Sequence, residues 1–318
     1  MIKDFFANYA PARNDRGFAL LVVILVTGLL AFIATAFSLA VRTEVRTVSI
    51  AIENAKAEAI ADGAVHLAIS ALLIARKQGS SEWRFPPDGS STLCTLLDGL
   101  VLIRIEDEFG KVDINGANDL LLRSVFVGMG VSEADAASYA DAIIDFRDSD
   151  HHRRPNGAEA PEYRAAGLTA GPKNGAFLRV SELAQVIGLN SIVVERLSPY
   201  LTVHTGQRGL DPIFAPDALK AAIAQGYAQL GLATTTGLYS TNAGAPLLPS
   251  EFATRSPQRI FAIRAEARTH KNSVFVREAI VEITPARTGI AYSIKEWRRG
   301  RGVSPDLYRD SDGIPSCS

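Results

Sequence analysis

Phe18-Ala19-Leu20-Leu21-Val22-Val23-Ile24-Leu25-Val26-Thr27-Gly28-Leu29-Leu30-Ala31-Phe32-Ile33-Ala34-Thr35-Ala36-Phe37-Ser38-Leu39-Ala40-Val41 is the stretch on which the reading of this chain turns. It runs for 24 residues without a charge. At about 1.5 Å per residue it makes roughly 36 Å of helix, enough to cross a hydrocarbon core of about 30 Å. Lys3, Arg13 and Arg16 precede it, which by the positive-inside rule puts the N-terminus in the cytoplasm and the body of the chain outside. A secretory signal peptide would follow its apolar run with a small-residue cleavage site. Here the helical pattern continues through Arg42-Thr43-Glu44-Val45-Arg46 and Ile50–Ala59, with no glycine or proline between Leu29 and Asp62. Val48, Ile52, Ala55, Ala59 and Ala64 fall near helical spacing, so the extension has one face to pack. The simplest reading is one helix of about 55 residues, half in lipid and half under a globular head.

The whole 318-residue chain bounds the function broadly. Its net charge of −1 supplies no basic field for nucleic acid. Cys94 and Cys317 lie outside any CxxC spacing, so zinc-ribbon and thioredoxin-like readings have no support. In an oxidising compartment the two could pair. Spacing alone cannot fix that, and two unrelated thiols remain the alternative.

Downstream, Val101–Glu108 reads as a strand, followed by a turn and a short extended piece at Phe109–Asn115. The pattern then turns helical: Leu120, Leu121, Val125 and Phe126 form one face. Ser132 with Asp135 opens a second helix that ends at Arg147. A third starts near Val180 and ends at Gly188, and a fourth covers Ser191–Leu197 before Tyr200–Val203 returns to strand. Gln207–Pro212 reads as a linker, Pro216–Tyr227 as a short helix, and Gly231–Pro249 as loop. Phe261, Ile263, Ala265 and Ala267 alternate with Arg264, Glu266 and Arg268. Phe275, Ala279, Val281 and Ile283 repeat the pattern after a turn, and Ile290–Trp297 makes a third strand.

Two resemblances are carried by these residues. Arg16-Gly17-Phe18-Ala19-Leu20-Leu21 resembles the prepilin cleavage signature. The resemblance implies cutting after Gly17 by a prepilin peptidase, methylation of the new Phe18 amine, and later packing of the apolar helix in a filament core. Most such sequences carry glutamate at the fifth mature position, where this chain has Val22. A carboxylate there is costly in lipid and needs a partner amine, so a subunit lacking it fits a filament end. The second resemblance is to the type II secretion system protein K family. It rests on Asp107–Asn115, Asp141–Asp150, Arg154–Glu159, Pro172-Lys173-Asn174 and Leu197–Val203.

The fold expected is α+β: a long N-terminal transmembrane helix on a pilin-like antiparallel β-sheet, with a large inserted all-α domain. Residues 1–17 form the leader and 18–75 the helix (18–41 in the membrane). Residues 76–109 and 206–300 form the β-domain, 110–205 the α-helical insertion, and 301–318 a flexible tail. The implied role is a minor pseudopilin in the inner membrane, with its body periplasmic, at the tip of a pseudopilus that exports folded proteins. Implied partners are minor pseudopilins resembling proteins I, J and H. A minor pilin of a type IV pilus or DNA-uptake system would have a compact head without the insertion.

Asp145, Asp148 and Asp150 cluster at a helix end, with Asn156 and Glu159 beyond. Hard oxygen ligands on a turn suit Ca²⁺, and the protein K resemblance implies calcium too. The spacing is not that of an EF-hand, and helix capping with ion pairs to Arg147, Arg153 and Arg154 is the competing role. His151-His152 lack the i, i+4 helical spacing of a zinc protease. Val186–Asn190 resembles a helix-hairpin-helix turn, but Asn190 stands where that motif has glycine. No G-x-S-x-G elbow or Walker loop occurs. The chain is therefore expected not to be an enzyme; an anchored enzyme using the Asp/His loop is the rival.

Overall fold

The computed structural model describes residues 15–78, 83–232, 238–239, 248–284, 289–308 and 313–317. Helix α1 runs Asp15–Gln78. The chain divides into two units, Met1–Lys56 and Ala57–Ser318. In the first, the helix is apolar and exposed over Phe18–Val41, a stretch long and apolar enough to cross a membrane. Two of its hydroxyls bond back into the helix: Thr27 Oγ1 donates to the Val23 carbonyl (2.8 Å) and Thr35 Oγ1 to that of Ala31 (2.7 Å). This is what a polar group on a lipid-facing helix requires.

In the second unit, the remainder of α1 lies on a five-stranded antiparallel sheet. The strands are β1 (Asp88–Leu96), β2 (Gly99–Asp107), β7 (Ile260–Thr269), β8 (Val274–Ile283) and β9 (Tyr292–Arg299), in that spatial order. Ala57, Ala61, Ala64 and Ala68 recur at i, i+4, i+7 and i+11, flanked by Ile60, Val65, Ile69 and Leu72; all are buried. The sheet answers with rows set by its register: Val101–Ala267–Phe275, Ile103–Ala265–Arg277 and Ile105–Ile263–Ala279. Methyl groups thus meet on both sides. At Gly99 a Cβ would stand 2.8 Å from Ile60 Cδ1, so the β1–β2 hairpin end admits no side chain.

Arg277 is the one charge in those rows, and it is neutralised from the helix. Its Nε donates to Asp62 (2.6 Å) and its Nη2 to Glu58 (2.7 Å). Its guanidinium also sits 4.8 Å from the Phe275 ring centroid and 5.0 Å from that of Trp297. The stacked, bidentate geometry suits arginine and not lysine.

Between β2 and β7 the chain leaves the sheet to form the inserted helical unit. It contains β3 (Val112–Asp113), α2 (Asp119–Gly128), α3 (Glu133–Arg147), α4 (Ala160–Ala165), α5 (Ser191–Leu197), β4 (Leu201–Thr202) and α6 (Asp217–Gln229). Strands β3 and β4 pair in parallel and close its base. Short strands β5 (Leu238–Tyr239) and β6 (Leu248–Pro249) pair with each other. The Ser132 cap of α3 is as expected, its hydroxyl accepting from the Asp135 N–H.

Four expectations need correction. The α-helical insertion does not stop at 205: Leu210, Leu219, Ile223, Tyr227, Leu248 and Phe252 share its core. Helix α6 is locked to α2 through two glycines. A Cβ on Gly128 would lie 1.7 Å from the Ala222 carbonyl oxygen, and one on Gly226 1.9 Å from that of Ser124. The 207–212 stretch is not a free linker, since Leu210 N–H donates to Phe252 O and Asp211 is buried. Val180–Gln185 is a 3₁₀ turn, too short for the helix expected to reach Gly188. Finally, the 301–318 tail is not loose. Leu307 is fully buried with Leu100 and Leu102, Thr95 pairs with Ser316, and Cys94 is disulfide-bonded to Cys317.

The root of the insertion is polar and buried. Asp107 accepts from Phe109 N–H (2.9 Å) and from Ser256 Oγ (2.6 Å), while Asp211 accepts from the Ser256 N–H (2.6 Å). Burial pushes the Asp107 carboxyl up to about 6, against the pull of those hydrogen bonds, with Asp211 and Glu108 adding repulsion. An acid raised in the folded state contributes stability that is full below its unfolded value near 3.8 and is lost as pH rises through about 6. Asp107→Asn is therefore expected to flatten the stability curve between about pH 4 and 7. Urea unfolding at a series of pH values checks this; an unchanged slope refutes it.

Candidate cation site in the inserted unit

Helix α3 carries Asp141 and Asp145 on its last two turns and hands the chain to the loop 148–159, which returns to start α4. Asp141 organises that loop. It accepts from Arg154 Nε (2.6 Å), Asn156 N–H (3.0 Å) and Asn156 Nδ2 (3.1 Å). Burial pushes Asp141 up, but the Arg154 guanidinium and the Asn156 amides hold it below the usual carboxylate value. Asp145, one turn on, is fully buried and accepts from the Arg154 N–H (3.1 Å). Gly157 seals it: a Cβ there would stand 2.1 Å from Asp145 Oδ2. The loop can close over Asp145 only with glycine at this position.

Of the five residues expected at the site, the structure brings three together. Asp148, Asp150 and Glu159 each offer an oxygen within 4.8 Å of the others. Asp148 Oδ1 and both Glu159 oxygens are enclosed without a hydrogen-bond partner. Buried acceptors without donors are costly, and three aimed into one acidic neighbourhood fit a hard cation. Asp145 and Asn156 do not join them; they shape the loop instead.

The electrostatics agree with the geometry. Asp145 is pushed up to about 6 by burial, offset by the Arg154 N–H and reinforced by Asp148, Glu159 and Asp141. Burial and Asp150 raise Asp148; burial and Asp148 raise Glu159. Of the three converging carboxylates only Asp150 is lowered, by the His152 N–H. The histidines turn elsewhere. His152 is exposed beside Asp150 (3.3 Å), and His151 Nδ1 meets Asn174 Nδ2 at 2.7 Å.

Asn174, which the sequence marks only as part of the resemblance to protein K, is tied to this loop as well. Its φ is +52°, its Nδ2 donates to the Asp150 carbonyl (3.3 Å), and its Oδ1 is a further enclosed oxygen without a partner. The signal available was an asparagine in a proline-led turn, where the left-handed conformation is tolerated.

The other marked residues fall into place separately. Phe18 is exposed on α1; the leader Met1–Asn14 and the surroundings of Gly17 lie outside the described residues. In the Val186–Asn190 turn, Gly188 has φ +80° and Asn190 caps α5 through Ile192 N–H (2.8 Å), a structural use of those residues.

Comparison with known proteins places this site within a recognised domain. Residues 108–206 match the family model described as Type II secretion system (T2SS), protein K. Among solved structures, the chain is similar to one in "The Crystal Structure of the GspK-GspI-GspJ complex from enterotoxigenic Escherichia coli Type 2 Secretion System". That match has 14% identity and a TM-score of 0.55, and covers 82% of this chain and 99% of that one. No curated protein matches by sequence. The family model and the shared α+β fold support the resemblance to type II secretion protein K.

Gly157→Ala is expected to destabilise the unit by about 1–3 kcal/mol, because the Asp145 carboxylate has nowhere to move. Denaturant unfolding of the full chain checks this, and a loss below about 0.5 kcal/mol contradicts the packing described.

Proposed function

We propose that this chain is a minor pseudopilin of the protein K kind, placed at the tip of a periplasmic pseudopilus that assists export of folded proteins across the outer membrane. The observation that carries the reading is the enlarged β2–β7 connection. A helix on an antiparallel sheet suffices for a filament subunit, yet here a second core of comparable extent is built into the head. A unit of that bulk suits an end position, where no following subunit needs the space.

Val22 supports the same placement. A carboxylate at that depth would require a partner amine, and an end subunit lacks one neighbour. The role is structural and includes no reaction of its own. Phe18–Val41 is held first in the inner membrane, with the N-terminus cytoplasmic and the body periplasmic. After a prepilin peptidase cuts at Gly17 and Phe18 is methylated, that segment packs with the helices of its neighbours. The structural relative is a chain from a complex of three proteins, K, I and J, which supports partners resembling I and J; a further subunit resembling H is proposed to lie below them.

N-terminal mass spectrometry of the membrane-extracted protein is expected to find a chain starting at methylated Phe18. Co-expression with subunits resembling I and J is expected to give a mixed complex. A start beyond Val41, or long filaments of this chain alone, would overturn the assignment.

Asp148, Asp150 and Glu159 are proposed to hold Ca²⁺, with the ion supplying the positive charge those oxygens lack. Ca²⁺ at about 100 times its Kd stabilises a fold by about 2.7 kcal/mol. The melting temperature of the full chain is expected to rise with Ca²⁺ more than with Mg²⁺, which demands stricter geometry. The rise should vanish in D148N/E159Q. An equal rise in that variant would place the ion elsewhere.

A further inference from the structure

Helix α1 covers one face of the sheet; the other borders a cleft of about 780 Å³. Its remaining walls come from the inserted unit, around Arg179–Ser181 and Ser198–His204, and from Arg301–Ser304 of the C-terminal segment. Six cationic side chains face five glutamates there, so pairing decides what the cleft can accept.

Every glutamate is already matched. Glu106 and Glu108 both meet Lys111 (2.9 and 2.7 Å). Glu266 pairs with Arg264 (2.8 Å), and Glu278 with Arg264 and Arg298. Glu296 meets His204 at 3.2 Å. The arginines are not all matched. Among the described residues, Arg104 bonds only the Ser91 hydroxyl (3.1 Å) and forms no ion pair. Arg179 is felt by Glu296 across space without pairing to it. Arg301 uses its backbone carbonyl, not its guanidinium, to accept from Arg264 (2.9 Å).

These three guanidiniums come from three separate parts of the chain: a sheet strand, the inserted unit and the C-terminal segment. Three guanidiniums set on separate walls of one cleft suit a ligand that carries several carboxylates along an extended backbone better than a single small anion. Val180, Pro199, Leu201 and Val303 add apolar wall between them, which suits the stem of a glutamate or the body of a peptide. We infer that this cleft receives an extended acidic polypeptide segment, whose carboxylates meet Arg104, Arg179 and Arg301.

The test is fluorescence anisotropy of labelled hexaglutamate with the full chain in detergent at low salt. Binding is expected, weakening as salt is raised. R104Q/R179Q/R301Q is expected to lose about tenfold or more, a change of about 1.4 kcal/mol. Should the Arg104 change disturb β1–β2 pairing, R179Q/R301Q serves, since both side chains are exposed and hold nothing else; a loss of about fivefold is then expected. Arg255→Gln, outside the cleft, should leave binding unchanged. Three results would overturn the inference: no binding to the parent chain, a loss below about twofold in both variants, or inorganic phosphate or hexaglutamine competing as well as hexaglutamate.

Discussion

The packing of alanines on α1 over alanines in the middle of the sheet, within one buried cluster, is the contact from which the head is built. Ala57, Ala61, Ala64 and Ala68 present almost no side chain, and Ala265, Ala267 and Ala279 answer them. Small groups on both surfaces bring helix and sheet near enough for their larger neighbours, Ile60, Ile69, Ile103 and Ile263, to interdigitate around the seam. Any larger residue there would lift the helix and open gaps on both sides. The same closeness makes Arg277 usable: a buried guanidinium is tolerable because Asp62 and Glu58 lie within hydrogen-bond reach. One helix thus carries an exposed apolar stretch long enough to cross a membrane at one end and half of a packed core at the other, changing only the size and polarity of its residues.

The inserted unit repeats this principle in helix–helix form. Gly128 and Gly226 let the backbones of α2 and α6 touch, with Ser124 and Ala222 a turn earlier on the same faces. The pairing draws α6 into the insertion's core, so the chain returns to the sheet later than its sequence suggests. Asp107, Asp211 and Ser256 then join the outgoing and returning strands at one polar root. The cation-site loop hangs from α3, far along the chain from that root, and its geometry is set locally by Arg154, Asn156 and Gly157.

What the sequence disclosed follows from how local each signal is. Helix α1 was legible because its charge-free run and later small-residue spacing extend over many turns. Strand β7 was legible from strict alternation and β8 from an alternation broken at Arg277, a charge that joins the helix-facing row, and α3 from Ser132 and Asp135 at its start. Strand β1 was not, since Asp88–Leu96 is rich in Ser and Thr and buries only Cys94. The allegiance of α6 rests on two glycines distant in sequence, and a glycine does not announce the backbone it will meet. The acidic cluster stood out by composition, but which carboxylates converge depended on Asn156 turning to Asp141 and Gly157 closing over Asp145. The C-terminal segment read as loose because its anchors, Leu307 and Cys317, are single residues in polar surroundings.

The Cys94–Cys317 bond has a topological consequence. The two residues are 223 apart, so β2, the whole helical insertion and strands β7 to β9 lie inside one covalent ring. A single backbone cut anywhere in that ring leaves both fragments attached to α1 and hence to its apolar anchor. Tension applied through the helix enters the ring at Cys94 and can draw out only the short stretch before it. The head is thus built to stay in one piece when its backbone is cut.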